Sequence, residues 1–579
     1  MHMNKNIARL AVTAGLTAAL SFGGVMAPVT MAFAEGTTAT TNSITIKKKN
    51  DNGNVKYKAY QIFEADVVDE SGKTGKTDKV VSNVKWAAGV GGTTQKAIIK
   101  AINDYNKNEA DNLKTDASPQ DVANWLTANI TGTTNTTVLK DTDLLNTLAG
   151  LVAKEVTPTN PTNPTGITDG SFAADTKVSF DKSGYYLFLT DAGTLPSDES
   201  KTDSKNTATS PIYAVVGAGD VEVTEKTSIP TVKKEVREGE TWGKRSDSHI
   251  GEEVEYKLTG FVASNIDTFT KYEYSFHDHL SAGLEASENS VKVKIDDTVI
   301  QPTNGYTVNL ADTTDASGRP TGGHDLTISF SDLKAAATNA GVTLKGDSKV
   351  VVTYNAKLTG EAEYTANGNT NDVKLVYSNN PMTDDKGTSE SDEVTDYVFG
   401  LDVTKTASDN PKKKLVAGFK VKMTKEGTAP VNGEKWLTET GELTDDSGKA
   451  GVFKTKETDS KVFIPGLVAG EYEIAECETP AGYNSISFTI VVTPTYNETT
   501  GKLTGLSVNP SSNMVTSQLG ENVTSTRIPI TIVNKKGSGL PLTGLNGVTF
   551  TWIAGGAVLV IGVAHLIRSR KQAEESERE

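Results

Sequence analysis

Short runs in which hydrophobic and polar residues alternate dominate the chain, and three regions differ in how these runs are arranged. From about residue 43 to residue 225, alternating runs are mixed with stretches whose apolar residues recur at helical spacing. From Pro230 to about Phe399, and again from Gly400 to Lys536, alternating runs follow one another between turns rich in Gly, Asn and Asp. That pattern is typical of β-sandwich domains. The sequence therefore predicts a mainly β protein, with tandem Ig-like β-sandwich domains preceded by an α+β N-terminal domain.

The mixed N-terminal region is predicted to contain both strands and helices. Ser118 precedes Pro119, and these residue types are favoured at the N-cap and the first position of a helix. The strands are predicted at Thr45–Lys49, Tyr57–Phe63, Lys177–Phe180 and Tyr185–Thr190, and the helices at Thr94–Tyr105, at Pro119–Ile130 and around Leu144–Val152. This region is therefore expected to fold differently from the two regions that follow it.

Both ends of the chain carry apolar runs that predict targeting signals. Lys5 and Arg9 precede the apolar run Leu10–Val29, and small residues follow up to Ala34. This is the order of a secretory signal peptide, and cleavage is expected after Ala34. At the other end, Val548–Ile567 is mostly apolar, is long enough to span a bilayer and is followed at once by basic residues. The sequence therefore predicts an exported chain with a membrane-spanning segment near its C-terminus.

Composition narrows the possible functions. The chain has 579 residues, enough for roughly three or four domains, and its net charge of −15 argues against nucleic acid as a partner. The single cysteine, Cys477, excludes a disulfide within the chain, and the sequence offers no Cys/His cluster at zinc spacing. It also contains no hydrolase motif such as Gly-x-Ser-x-Gly or His-Glu-x-x-His. We therefore expect a structural protein, not an enzyme, with no metal and no cofactor.

Three polar residues of the last region fall on the apolar faces of strands. Because alternate residues of a strand share a face, Lys405, Glu476 and Asn534 continue the apolar faces of the first, a middle and the last strand. Their head groups can reach water at the strand ends, as lysine often does. Alternatively, a desolvated lysine attacks the asparagine amide beside a protonated carboxyl group, so that ammonia leaves and an amide cross-link forms. Strand parity alone leaves both interpretations open.

The middle region repeats this pattern. Lys234 shares a strand face with its apolar neighbours, and Asp278 and Asn379 continue the apolar faces of two later strands. A β-bulge would shift the register by one residue and bring Lys233 or Asn380 to that face instead. The N-terminal region differs, because the lysines at 47–49 have no recognisable acid and asparagine partners, so no cross-link is predicted there.

Several motifs resemble those of one family of surface proteins. Tyr472–Tyr483 (YEIAECETPAGY) is similar to the E-box of Gram-positive pilins and of CnaB-type domains. Val403–Lys405 (VTK) and Val533–Lys535 (VNK) match the first and last strands of the same domains. Leu540–Gly544 (LPLTG), followed by the apolar span and a basic tail, resembles the LPxTG sorting signal. The chain therefore resembles the major (backbone) pilins of Gram-positive sortase-assembled pili, with a CnaA-like middle domain and a CnaB-like last domain.

The resemblance implies an internal isopeptide bond in each β-sandwich domain. The implied sets are Lys405, Asn534 and the catalytic Glu476 in the last domain, and Lys234, Asn379 and the catalytic Asp278 in the middle domain. The implied division of the chain is a signal peptide at 1–34, an N-terminal pilin domain at 35–226, a CnaA-like domain at 227–399, a CnaB-like domain at 400–537 and a sorting signal at 538–579. Formation of such bonds happens once per chain and does not make the protein an enzyme.

The resemblance also implies how the chain is attached at the cell surface. A sortase would recognise Leu540 and Pro541 and cut between Thr543 and Gly544. The implied partners are pilus-specific and housekeeping sortases, identical subunits joined head to tail, minor tip and base pilins, peptidoglycan, and host surface glycans or proteins. The implied location is the Gram-positive cell wall, after transient retention in the membrane.

One lysine is implied as the acceptor in subunit joining. At the junction of the first two domains, Thr224–Thr227 (TEKT) stands where major pilins typically carry Tyr-Pro-Lys-Asn, and only the lysine, Lys226, is kept. A monomeric wall-anchored adhesin built from the same domains is the alternative, and in it Lys226 has no role. A secreted enzyme is disfavoured, because the sequence lacks a nucleophile, a base and an orienting group together.

Overall fold

The computed structural model describes residues 42–49, 52, 55–69, 79–133, 137–195, 206–314, 320–520 and 523–537. The signal peptide, the LPLTG motif and the apolar span predicted from the sequence lie outside these residues. Within the described ranges, no helix is both long enough and apolar enough to cross a membrane. The chain is mainly β, as the sequence predicts.

The N-terminal domain combines two sheets with three helices in its described part. Its strands are β1 (Asn42–Lys47), β2 (Lys56–Asp69), β3 (Lys79–Trp86), β4 (Ser171–Ala173), β5 (Lys177–Ser179), β6 (Gly184–Thr190), β7 (Ile212–Val216) and β8 (Gly219–Thr224), and its helices are α1 (Gly92–Tyr105), α2 (Pro119–Asn129) and α3 (Leu144–Glu155). The larger sheet has the order β3-β2-β6-β7 with β4 beside β2, and the smaller has the order β5-β1-β8. The helices pack on one face of the larger sheet, and the smaller sheet covers its other face.

Helix α2 shows how local sequence sets an element of this domain. The Ser118 side chain accepts a hydrogen bond from the Asp121 backbone N–H at 3.1 Å, and the Asp121 carboxylate accepts one from the Ser118 N–H at 3.1 Å. This reciprocal cap satisfies two backbone donors that a helix start leaves unpaired. The helix therefore begins at Pro119, as the sequence predicts, and turns Val122 and Leu126 into the core.

The second domain is a sandwich of two sheets with one short helix among the described residues. Its strands are β9 (Thr231–Glu238), β10 (Thr241–Gly243), β11 (Arg245–Asp247), β12 (Glu253–Phe261), β13 (Tyr274–Leu280), β14 (Leu284–Ala286), β15 (Lys292–Ile295), β16 (Thr298–Ile300), β17 (Tyr306–Thr314), β18 (Pro320–Phe330), β19 (Lys349–Leu358), β20 (Asn369–Ser378), β21 (Lys386–Thr388) and β22 (Asp392–Tyr397), and its helix is α4 (Leu333–Asn339). One sheet has the order β10-β9-β12-β19-β15-β16, with β14 beside β19. The other has the order β11-β22-β20-β13-β18-β17, with β21 beside β20. The core lies between these sheets, so inward-facing residues of β9 and β13 meet across it.

The third domain is also a two-sheet sandwich. Its described strands are β23 (Phe399–Ala407), β24 (Gly418–Glu426), β25 (Ala429–Leu437), β26 (Leu443–Thr444), β27 (Phe453–Lys454), β28 (Lys461–Leu467), β29 (Gly470–Glu478), β30 (Ser487–Tyr496), β31 (Leu503–Pro510), β32 (Val515–Ser517) and β33 (Arg527–Asn534). The sheet β28-β23-β33-β32 faces the sheet β26-β25-β24-β29-β30-β31, in which β27 joins β24. The first strand, β23, and the last, β33, lie side by side and parallel.

Single 3₁₀ turns connect several of these elements. They lie at Glu109–Asp111, Ala192–Thr194, Ile266–Thr268, Glu288–Ser290, Pro302–Asn304 and Ser447–Lys449. One of them, Ile266–Thr268, belongs to the face of the second domain that meets the first: the Thr268 hydroxyl donates to the Leu139 carbonyl at 2.6 Å.

Direct hydrogen bonds also join the second and third domains. His249 is buried, and burial lowers its pKa to about 4, so its neutral ring donates from Nδ1 to the Gly466 carbonyl at 2.6 Å. The Gly466 N–H donates to the Tyr364 hydroxyl at 3.1 Å, and the Leu503 N–H donates to the Tyr397 hydroxyl at 3.0 Å. Because these contacts lie on both domains, the junction is a packed interface rather than a free linker.

Candidate functional site

Three polar side chains meet in the core of the third domain. Lys405 lies on β23 and Asn534 on the adjacent parallel strand β33, where Ala407 is opposite Asn534. The Asn534 Nδ2 donates to both carboxylate oxygens of Glu476, at 2.8 and 2.9 Å. The Lys405 amine donates to the Ile532 carbonyl at 3.3 Å. Lys405 and Asn534 are each 1% exposed and Glu476 is 9% exposed, so the three head groups lie inside the protein rather than in water.

Burial shifts the pKa values of two groups in this cluster. It lowers the pKa of Lys405 from 10.5 to about 8, although the nearby Glu476 carboxyl group opposes the shift. Burial also raises the pKa of Glu476, against the effects of the Asn534 amide and Lys405. Both shifts favour a neutral amine next to an un-ionised acid. Asn534 Oδ1 is buried and has no hydrogen-bond partner among the described residues.

A second cluster lies between the two sheets of the second domain. Lys234 of β9 contacts Asp278 of β13 through its amine, and both side chains are fully buried. The same amine donates to the Tyr354 hydroxyl at 3.2 Å and lies 5.6 Å from the centroids of the Tyr354 and Tyr256 rings. Burial lowers the pKa of Lys234 and raises that of Asp278. The attraction between the two groups opposes these shifts but does not reverse them. A neutral lysine and a protonated aspartic acid are therefore favoured here too.

The asparagine at this second cluster is Asn371. In the antiparallel pairing of β13 with β20, Asp278 lies opposite Val373, and Asn371 is the next inward-facing residue. Its Nδ2 donates at 2.7 Å to the Tyr354 hydroxyl, which the Lys234 amine also contacts. Asn371 Oδ1 and Asp278 Oδ2 are both buried without a hydrogen-bond partner in the described part of the chain. The structure thus brings a lysine, an acid and an amide together around one hydroxyl group.

Asn379, the partner chosen for Lys234 from the sequence, does not lie at this cluster. It follows the end of β20, eight residues beyond Asn371, which is roughly 26 Å along a strand at about 3.3 Å per residue. Strand parity places both asparagines on the same face but does not fix the position along the strand. The antiparallel register with β13 aligns the Asn371 end of β20, and not the Asn379 end, with Asp278.

Asn379 instead belongs to the junction of the first and second domains. Its backbone carbonyl accepts from the Ala208 N–H at 2.6 Å, and its side chain donates to the Asn206 carbonyl at 3.2 Å. Elsewhere on the same junction, the Lys334 amine lies 2.7 Å from the Asp141 carboxylate. The first two domains are therefore tied together at two separate places.

Lys226 lies at this junction, between β8 and β9, and is 9% exposed. Its backbone N–H donates to the Thr209 hydroxyl at 2.8 Å, and its carbonyl accepts from the Ser210 N–H at 3.0 Å and from the Asn265 side chain at 3.4 Å. Burial lowers its pKa from 10.5 to about 8, and no charged group of the described residues contributes to that shift. Lys226 is therefore a buried lysine fixed by contacts from both domains.

The alternatives left open by the sequence lie elsewhere. The Lys233 side chain is 55% exposed and pairs with Glu235 at 2.8 Å, and the Asn380 side chain accepts from the Met382 N–H at 3.0 Å within its own loop. In the first domain, Lys47 forms a distant pair with Glu222 at 3.7 Å near the surface. None of these lysines lies at a buried acid and amide.

Sequence reasoning missed two kinds of residue at these sites. In the sequence, Tyr256 and Tyr354 have the pattern of ordinary core residues of alternating strands, and nothing in it indicates that they contact Lys234. Asn371 had a detectable signal, because it shares the parity of Val373 and Leu375. In the described residues, no group of three or more His, Cys, Asp and Glu side chains is arranged to hold a metal ion.

The comparisons with known proteins give structural neighbours only. No protein-family model and no curated protein matches the sequence. The chain is similar to the T6 backbone pilin of serotype M6 Streptococcus pyogenes, with 15% identity, a TM-score of 0.46, and coverage of 87% of this chain and 100% of that one. It is also similar to the full-length major pilin SpaD of Corynebacterium diphtheriae, with 16% identity, a TM-score of 0.43, and coverage of 86% and 98%.

A third neighbour is the major pilin SpaA of Corynebacterium diphtheriae, with 14% identity, a TM-score of 0.41, and coverage of 85% of this chain and 100% of that one. All three are backbone or major pilins, the class that the sequence motifs resemble. At these identities and TM-scores the likeness carries no residue roles. The roles assigned to this chain therefore rest on its own side chains.

Proposed function

We propose that this chain is the backbone subunit of a covalent surface pilus. The observation that carries the proposal is that two β-sandwich domains in series each hold a buried lysine beside a buried carboxyl group and an asparagine amide. Three such groups would be expensive to bury unless they reacted or were fully paired. A chain with cross-links in successive domains is suited to carry tension, which is the task of a filament shaft.

In the third domain the cross-link joins Lys405 to Asn534. The neutral Lys405 amine attacks the side-chain carbonyl carbon of Asn534, a C–N bond forms, and the bond to the amide nitrogen breaks. Un-ionised Glu476 acts first as general acid and then as general base: it supplies the proton with which ammonia leaves, and its carboxylate takes up the proton lost by the attacking amine. Its contacts of 2.8 and 2.9 Å to the departing nitrogen support this role.

In the second domain we propose that the cross-link joins Lys234 to Asn371, with Asp278 as the acid. Protonated Asp278 donates a hydrogen bond to the side-chain carbonyl oxygen of Asn371. This bond would pair Asp278 Oδ2 with Asn371 Oδ1, two buried atoms that otherwise have no partner among the described residues. The Lys234 amine then attacks and ammonia leaves, as in the third domain. Because β9 and β20 belong to opposite sheets, this bond would tie the two layers of the sandwich together.

Subunits are joined by a sortase, as the LPLTG motif implies. The sortase thiolate attacks the Thr543 carbonyl, the bond to Gly544 breaks and the Gly544 amine leaves. The Lys226 amine of another subunit attacks the resulting thioester, so an amide forms and the thiol is released. Since each chain carries both a donor and an acceptor, head-to-tail joining does not close and yields a filament. We propose minor tip and base pilins, peptidoglycan and host surface molecules as the remaining partners.

Replacing Lys226 with arginine tests the joining step. Arginine keeps the charge but is not an acyl acceptor under these conditions, because its pKa stays above about 12. Full-length chain expressed with a pilus sortase in a Gram-positive host should give a ladder of detergent-resistant polymers, and Lys226→Arg should give only monomer. The readout is a denaturing gel of cell-wall extracts.

Lys233→Arg is the matched control, because Lys233 is seven residues away and its side chain is exposed. This variant should retain the complete ladder. A ladder that persists in Lys226→Arg would contradict the acceptor assignment. Wall-linked monomer from the unmodified chain would favour the monomeric adhesin instead.

A further inference from the structure

The residue before Lys226 is a buried carboxylate with four hydrogen-bond donors. Glu225 is 1% exposed. Its partners are the Lys49 backbone N–H (2.7 Å), the Asn52 side-chain amide (3.2 Å), the Thr227 hydroxyl (3.3 Å) and the Tyr57 hydroxyl. Burying a carboxylate is unfavourable unless such donors satisfy it. With them, Glu225 anchors the chain firmly to the first domain.

The segment Glu225–Thr227, here called the acceptor segment, is therefore held by hydrogen bonds from both domains. Glu225 fixes its start to strands and loops of the first domain, and the Glu225 N–H donates to the Lys47 carbonyl at 3.0 Å. The backbone of Lys226 is held by Thr209 and Ser210 of the first domain and by Asn265 of the second. The lysine is thus a buried residue with a fixed backbone at the junction of two domains.

We propose that Glu225 is a positioning residue for Lys226, which anchors the acceptor segment so that the lysine amine is kept partly desolvated between the two domains. This placement, rather than a Tyr-Pro-Lys-Asn motif, selects Lys226 among the lysines of the chain. The inference rests on the proposed function, in which Lys226 is the acceptor. The positioning by Glu225 also explains how this chain can keep only the lysine of the Tyr-Pro-Lys-Asn motif that is typical of major pilins.

The chemical reason is the fraction of amine that is able to attack. Only an unprotonated amine attacks a thioester. Burial lowers the pKa of Lys226 to about 8, well below that of an ordinary lysine. Near pH 7.5, the reactive fraction of an amine with the lower value is roughly two orders of magnitude larger than that of an ordinary lysine.

Competitive acylation of the mature chain 35–543 with limiting acetic anhydride tests the inference without a sortase. The extent of acetylation at Lys226 is read by peptide mass spectrometry from about pH 6 to about pH 11. In the unmodified chain, half-maximal reaction of Lys226 is expected near pH 8. In Glu225→Ala, the freed segment should expose the lysine, and the midpoint should move up by about one pH unit or more.

Glu222→Ala is the matched control, because Glu222 lies on β8 just before the segment and its side chain is 61% exposed. Its midpoint should stay near that of the unmodified chain. If Glu225→Ala fails to fold, Tyr57→Phe removes one donor to the carboxylate and should give a smaller upward shift. Two results would overturn the proposal. One is an acylation midpoint of Lys226 in the unmodified chain near the pKa of an ordinary lysine. The other is an unchanged midpoint in the folded Glu225 or Tyr57 variant.

The two proposals fail in different experiments. If Lys226→Arg still polymerises but the acylation midpoints behave as expected, the acceptor role falls while the positioning of Lys226 by Glu225 stands. If Lys226→Arg abolishes the ladder but the acylation midpoint of Lys226 is unchanged in Glu225→Ala, the acceptor role stands and the positioning role is wrong.

Discussion

Replacing Asn371 with alanine is expected to prevent the loss of one ammonia. After allowance for the substitution itself, the purified variant should be heavier than the unmodified mature chain by the mass of one ammonia. The unmodified chain 35–543 should lack two ammonias, one for each proposed cross-link, and Asn371→Ala should lack one. The cross-link between Lys234 and Asn371 closes a loop of roughly 140 residues, which in a chain-entropy model stabilises the domain by about 5 kcal/mol. Its loss should lower the melting temperature of the second domain by about 15 °C. Intact-mass spectrometry and calorimetry provide the two measurements.

Asn379→Ala is the control for this experiment, because Asn379 has the same strand parity but lies at the junction with the first domain. This variant should still lack two ammonias. The opposite result, with Asn379→Ala losing the cross-link and Asn371→Ala keeping it, would restore the partner chosen from the sequence. An unmodified chain with its full mass would refute both cross-links.

Replacing Glu476 with glutamine should abolish the cross-link of the third domain while leaving both reacting residues in place. Glutamine keeps the size and a hydrogen-bonding oxygen but provides no proton for the leaving amide nitrogen. The chain should again lack only one ammonia. The bond between Lys405 and Asn534 closes a loop of roughly 130 residues, so the third domain should lose about 5 kcal/mol and about 15 °C of thermal stability.

Glu473→Gln provides the matched control, because Glu473 lies on the same strand but outside the buried cluster. It should lack two ammonias and melt like the unmodified chain. If Glu476→Gln forms its cross-link at the normal rate, Glu476 is not the catalytic acid. Lys405→Ala then distinguishes a Lys405 cross-link that forms without Glu476 from a loss of ammonia elsewhere, since a bond that involves Lys405 cannot form in that variant.

The elements that were predicted well are those set by neighbouring residues. Helix α2 begins where Ser118 and Pro119 predict, because its cap uses side chains within three residues of one another. Helix α4 was not predicted, and it is a seven-residue element between long strands. The parallel pairing of β1 with β8 was not predicted either, since it joins segments about 175 residues apart and has no local signal.

The candidate sites divide in the same way. By itself, the sequence placed a set of polar residues on the apolar faces of strands: Lys234, Asp278, Lys405, Glu476 and Asn534 follow from a side-chain period of two, and all five are buried. Only the tertiary structure decided that Asn371, and not Asn379, lies at the cluster of Lys234 and Asp278, because position along a strand depends on the register with another strand. It also decided that Lys226 is buried behind an anchored Glu225, because that environment is assembled from residues of two domains that are distant in the sequence.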